Sequence, residues 1–109
     1  MDLLIDDCRN FPVDCIARTY EVGMEMLLKH NWDKLYLDHD LGAIEITRSD
    51  TGREMTGYDI LCWLEENPKY LPKEITIVSD NPVGREKMEK LVEKLYKEEV
   101  VTAYENPTK

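Results

Sequence analysis

Three short apolar runs in this chain, "DLLID" at 2–6, "KLYLD" at 34–38 and "EITIVS" at 74–79, each end in an acid or a hydroxyl. Their length and composition read as strands, and the segments between them carry helical spacing. Thr19 is placed to cap a helix that runs to about His30, with Val22, Met26 and Leu27 on one face. Thr56 and Asp59 have the spacing of a capping box at the start of "TGYDILCWLEEN". Asn81 and Pro82 read as the N-cap and first residue of a third helix, whose apolar stripe is Met88, Leu91, Val92 and Leu95. With "DCIAR" at 14–18 as a short second strand and "VVTAYE" at 100–105 as a last one, the order is β-β-α-β-α-β-α-β. That order predicts an α/β domain with an open, mostly parallel, five-stranded sheet.

The rest of the chain sets bounds on what such a domain does. At 109 residues it has the size of a single domain, 1–109. Apolar and charged fractions of 42% and 34% suit a soluble protein, and no run approaches a membrane span. Cys8, Cys15 and Cys62 are odd in number and lack CxxC spacing, which favours reduced thiols and a cytoplasmic setting. A formal net charge of −9, with scattered lysines and arginines, disfavours non-specific nucleic-acid binding. A small nucleotide held by a few arginines remains compatible with it.

In an open parallel sheet the site lies beyond the carboxyl ends of the strands. Here those ends deliver Asp6 and Asp7, then Asp38, His39 and Asp40, then Ser79, Asp80 and Asn81, to one edge. Carboxylates brought that close raise one another's pKa values or recruit a cation, and hard oxygen ligands suit Mg²⁺. Each acid taken alone could equally cap a turn. The segment "SDNPVGR" opens a helix, whose free N–H groups attract anions, with Ser79, Asn81 and Gly84 in the turn and Arg85 just inside it. Arg9 could clamp a phosphate or serve as counter-ion to Asp6 or Asp7. Histidine is the residue type suited to proton transfer near neutral pH, which makes His39 the natural general acid or base, although strand alternation would turn it away from Asp38 and Asp40 unless the strand has already ended. His30 reads as a helix C-cap and Trp32 as packing. Residues 44–55 read as a hairpin or flap that could close over a substrate through Arg48 and Arg53.

These residues together resemble a known arrangement. "IDD", "LYLDHDLG" and "ITIVS" are similar to the layout of response-regulator receiver domains, in which Asp6 and Asp7 would hold a metal and Asp38 would accept a phosphoryl group. Only about seven residues stand where receivers place their first helix, and no Lys-Pro pair follows the last strand. A narrower resemblance fits better: "LIDDCR", "LDHDLG", "TGYDILCWL" and "SDNPVGREKM" look like the cyclic-phosphate processing receiver domains. Val78 stands where that family would place a histidine. The resemblance implies a three-layer, flavodoxin-like fold with a reduced first helix and a small flap after strand 3.

It also implies a metal-dependent phosphoesterase or hydrolase acting on the cyclic phosphate of a nucleotide or RNA end. Asp6, Asp7 and Asp38 would hold Mg²⁺ or another divalent cation, and Asp38, His39 and Asp40 would carry the chemistry. Arg9, Ser79, Asn81, Gly84 and Arg85 would bind the phosphate. The alternatives are a non-catalytic module that binds a nucleotide or protein, and a regulatory domain phosphorylated on Asp38. A dehalogenase-type phosphatase using Asp38 and Asp40 is disfavoured, since that motif ends a first strand and here it ends the third.

Overall fold

Four parallel strands form the sheet in the computed structural model, which describes residues 1–41 and 55–108, with side chains as far as Tyr96. The strands are β1 (Asp2–Ile5), β2 (Cys15–Ala17), β3 (Lys34–Leu37) and β4 (Glu74–Ile77), in the order β2-β1-β3-β4. The helices are α1 (Tyr20–Lys29), α2 (Gly57–Glu66) and α3 (Pro82–Thr108), with a 3₁₀ turn at Pro68–Tyr70. The flap expected at 44–55 lies outside the described residues except for Met55.

Alternation along the strands decides which face is covered. Leu3 and Ile5, Leu35 and Leu37, and Ile75 and Ile77 project to the same side, where they share one apolar cluster with Leu27 of α1, Leu61 of α2 and Met88 of α3. On the other side Phe11, from the helix-free β1–β2 connection, meets the Tyr36 ring edge-on at 5.3 Å. That contact stands where a first helix would pack, as its expected reduction requires.

The helix starts are those the sequence encodes. The Thr19 hydroxyl accepts from Val22 N–H at 3.1 Å, Asn81 Oδ1 accepts from Gly84 N–H at 3.1 Å, and the Asp59 carboxylate accepts from Thr56 N–H at 2.7 Å. Each satisfies an N–H that the first helical turn leaves unpaired. His30 is the C-cap of α1, and Trp32 is buried with its indole N–H donating to Met26 O.

One expected strand is corrected. Residues 100–105 continue α3, so the described sheet has four strands and not five. The pattern "VVTAYE" has strand propensity, but after Gly84 no glycine or proline interrupts the helix until Pro107. The helix adds one hydrogen bond per residue as it propagates, and valine and threonine cost it only a few tenths of a kcal/mol each, roughly. Among the described residues no helix is long and apolar enough to cross a membrane.

Candidate functional site

Strand order and register bring the acids together. β1 lies beside β3 with Ile5 paired to Leu37, and β3 lies beside β4 with Leu37 paired to Ile77. The residues that follow, Asp6, Asp38 and Val78-Ser79, therefore leave the sheet side by side at its carboxyl edge. The switch in strand order falls between β1 and β3, the position where open α/β sheets bind ligands. Asp6, Asp38 and Ser79 are the three buried polar residues among those described, with exposures of 0%, 5% and 1%.

Among the described residues one guanidinium ion-pairs with these acids. Arg9 Nη1 is 2.8 Å from Asp6 Oδ2 and 3.4 Å from Asp38 Oδ2, while Nη2 is 2.6 Å from the exposed Asp80 carboxylate. Arg9 here stands as a counter-ion to Asp6 and Asp38. Asp6 Oδ1 accepts in addition from the backbone N–H groups of Cys8 and Arg9, at 2.9 and 3.0 Å. Burial alone would raise the Asp6 pKa, but these donors and the guanidinium outweigh it and hold the carboxyl below its ordinary value. Asp38 goes the other way. Burial and the negative charge of Asp6 raise its pKa, against hydrogen bonds from His39 N–H and the Ser79 hydroxyl and the charge of Arg9.

The two shifts have opposite consequences for stability. Asp6, depressed, contributes stability above its unfolded pKa that is lost as pH falls through the folded value. Asp38, elevated, costs stability at neutral pH, and protonation relieves that cost as pH falls through its folded value. Asp38→Asn should therefore raise the melting temperature at pH 7 by roughly 3 °C. The advantage should shrink as acid protonates the wild-type side chain. Melting curves of both proteins between neutral and acid pH check this, and a variant less stable at pH 7 contradicts it.

His39 is placed differently from what strand alternation implies. β3 ends at Leu37, so Asp38 and His39 have left the strand and alternation no longer governs them. The His39 ring packs on the first turn of α3, with Nδ1 3.0 Å from Asp40 Oδ1. Gly84 makes room for it, since a Cβ there would come within 2.6 Å of the imidazole. Asp40 is exposed and engages His39. Asn81 caps α3 with its side-chain oxygen, and Ser79 Oγ accepts from Asn81 N–H at 3.1 Å.

Of the expected residues, Arg85 stands apart from the acid cluster and Asp7 sits exposed at its rim. Arg85 reaches along α3 to Glu89 and lines a groove at the β4 edge with Ile75, Thr76 and Ile77. Asp7 is exposed and hydrogen-bonds Cys8. Its carboxylate lies within 4.8 Å of ligand atoms of Asp6 and Cys8. That hydrogen bond, burial and the charge of Asp7 push the Cys8 thiol up, which disfavours a reactive thiolate.

Three contributors have little sequence signal. Arg18, at the end of β2, donates from Nη1 to the carbonyls of Asp6 and Arg9 and from Nη2 to Asn10, bracing the whole β1–β2 connection. Asp80 holds Arg9 from outside; it stands in the strand-four end "SDN", but nothing in the pattern pairs it with an arginine. Gly57 packs its Cα against the Asp38 carbonyl and donates its N–H to His39 O at 2.9 Å.

Parallel strands in this order, with buried acids after β1 and β3 and a buried hydroxyl after β4, define a receiver-like domain. A family model described as cyclic-phosphate processing receiver domain matches residues 1–94, and the chain belongs to that family. No curated protein and no solved structure matches the chain.

Proposed function

We propose that the domain is a metal-dependent phosphoesterase that opens a cyclic phosphate of a nucleotide or RNA end. The observation that carries this reading is a charge imbalance. Among the described residues the carboxylates of Asp6, Asp38 and Asp80 ion-pair with one guanidinium, Arg18 reaching the Asp6 backbone carbonyl instead, yet the family to which the chain belongs processes an anion. A phosphate cannot approach that edge favourably unless more positive charge arrives with it. The donor set fits a hard divalent cation: two carboxylates from neighbouring strands already aim oxygens at one cationic group, and the Asp7 carboxylate lies close by. Asp6 and Asp38, with Asp7, would hold Mg²⁺. Bound there, the ion would polarise the phosphoryl group and make an attacking water more acidic.

The chain's own groups supply the rest. At the start of α3, where Asn81 caps Gly84 N–H and Pro82 has none, the Val83 N–H and the helix dipole would meet the developing charge on the phosphoryl oxygens, with the buried Ser79 hydroxyl beside them. His39 is held by Asp40 through Nδ1, which leaves Nε2 for the substrate. Water oxygen attacks phosphorus, the ring P–O bond breaks, and the leaving alkoxide takes its proton from His39. The water's proton goes to solvent, and the product is a phosphomonoester. Two substitutions test this on a 2′,3′-cyclic nucleotide with Mg²⁺. Asp38→Asn should lower turnover by at least about 100-fold while the protein stays folded, and His39→Ala should lower it by roughly 100-fold or more. Unchanged turnover in Asp38→Asn contradicts the assignment, and binding without any turnover in the wild type points to a recognition module.

A further inference from the structure

Arg9 occupies the one point at which Asp6 and Asp38 converge. Its Nη1 is within ion-pair distance of both buried carboxylates, and its other terminal nitrogen is held outside by Asp80, whose side chain is 96% exposed. Among the described residues every buried side-chain polar atom has a partner, so the acid cluster is already satisfied without any external ion. A second cation cannot share that point: two positive charges a few ångströms apart repel, and the carboxylate oxygens that would bind the newcomer are already hydrogen-bonded.

We propose that Arg9 is a built-in counter-ion, displaced from Asp6 and Asp38 when a divalent cation binds and swung outward on Asp80. Resting on the metal-dependent reading above, this adds a step to it: cation binding and release of the guanidinium are one exchange. The exchange has a use. The arginine side chain is itself only partly buried, at 23% exposure, and Asp80 already holds Nη2 on the solvent side. A guanidinium let go from the two buried acids stays tethered at the mouth of the site, where its fork geometry suits a phosphate. Until the ion arrives, the acids close the site to anions and the guanidinium offsets their charge. The loaded site presents one more cationic group to the substrate.

Calorimetric titration with Mn²⁺, without substrate, tests the exchange on wild type, Arg9→Gln and Arg9→Lys. Arg9→Gln should bind the ion about ten-fold more tightly, since no resident charge has to leave, and Arg9→Lys should fall between. Mn²⁺ should also raise the melting temperature of Arg9→Gln more than that of wild type. Should the variant fold poorly, the wild type decides alone: with diamagnetic Mg²⁺ in place of Mn²⁺, the Arg9 side-chain ¹⁵N signals should move and exchange faster with water as the ion saturates. Equal or weaker ion binding by Arg9→Gln, or Arg9 signals indifferent to the ion, overturns the proposal and leaves the phosphoesterase reading intact if turnover persists. No ion binding by any of the proteins at millimolar concentrations overturns it too. In that case the metal goes with it, while cyclic-nucleotide binding in the same calorimeter judges the substrate class separately.

Discussion

Gly57→Ala is expected to cost about 3 kcal/mol, or roughly 15 °C in melting temperature, and to disable the site with it. A Cβ at this position would lie 2.0 Å from the Asp38 carbonyl oxygen and 2.8 Å from Met88 Cε. The methionine can move, but the carbonyl belongs to backbone pinned by the Asp38 N–H to Ile5 O bond at 3.0 Å. Relief therefore means shifting α2 away from the end of β3 by more than an ångström, which breaks the Gly57 N–H to His39 O bond. Alanine gains at most about 1 kcal/mol in helix propensity, too little to offset the clash. Thermal melts check the stability term. A variant as stable as wild type would show that the approach of α2 to Asp38 is looser than described.

Asp6→Ala is expected to cost about 3–5 kcal/mol. The buried carboxylate accepts from Cys8 N–H, Arg9 N–H and the Arg9 guanidinium, and alanine leaves all three donors short of a partner. Asp38 and Asp80 still engage Arg9, which places the effect at the lower end of that range. Denaturant midpoints measure it. The contrast with Asp38→Asn, expected to stabilise, separates an acid whose charge supports the fold from one whose charge costs stability, although the two follow adjacent strands. Losses of similar size at both positions would contradict the division.

Most of the frame was legible because local chemistry and global fold agree. Thr19, Thr56 and Asn81 cap where their sequences say they should, and the apolar runs stop where the strands stop. The carboxyl edge could be foreseen because each strand ends in a polar residue and a parallel sheet must gather those ends. What the sequence hid is tertiary. Nothing near Arg9 distinguishes a phosphate clamp from a counter-ion; the difference lies in Asp38, 29 positions away, and in Asp80. Alternation does not govern His39, because β3 ends at Leu37, before both Asp38 and His39. Arg85 sits close to the α3 N-terminus in sequence but reaches the β4 edge, a matter of helix rotation that spacing to the N-cap does not reveal. Residues 100–105 have strand composition, yet no breaker separates them from α3.

A crystal structure of the protein grown with Mg²⁺ and a 2′,3′-cyclic nucleotide puts the central claim at most direct risk. The density should show an ion between Asp6 and Asp38, Arg9 moved off both carboxylates, and the phosphate between His39 and the first turn of α3. A nucleotide seated elsewhere, for instance along the β4 edge at Arg85, or a carboxyl edge with neither ion nor phosphate, would contradict it.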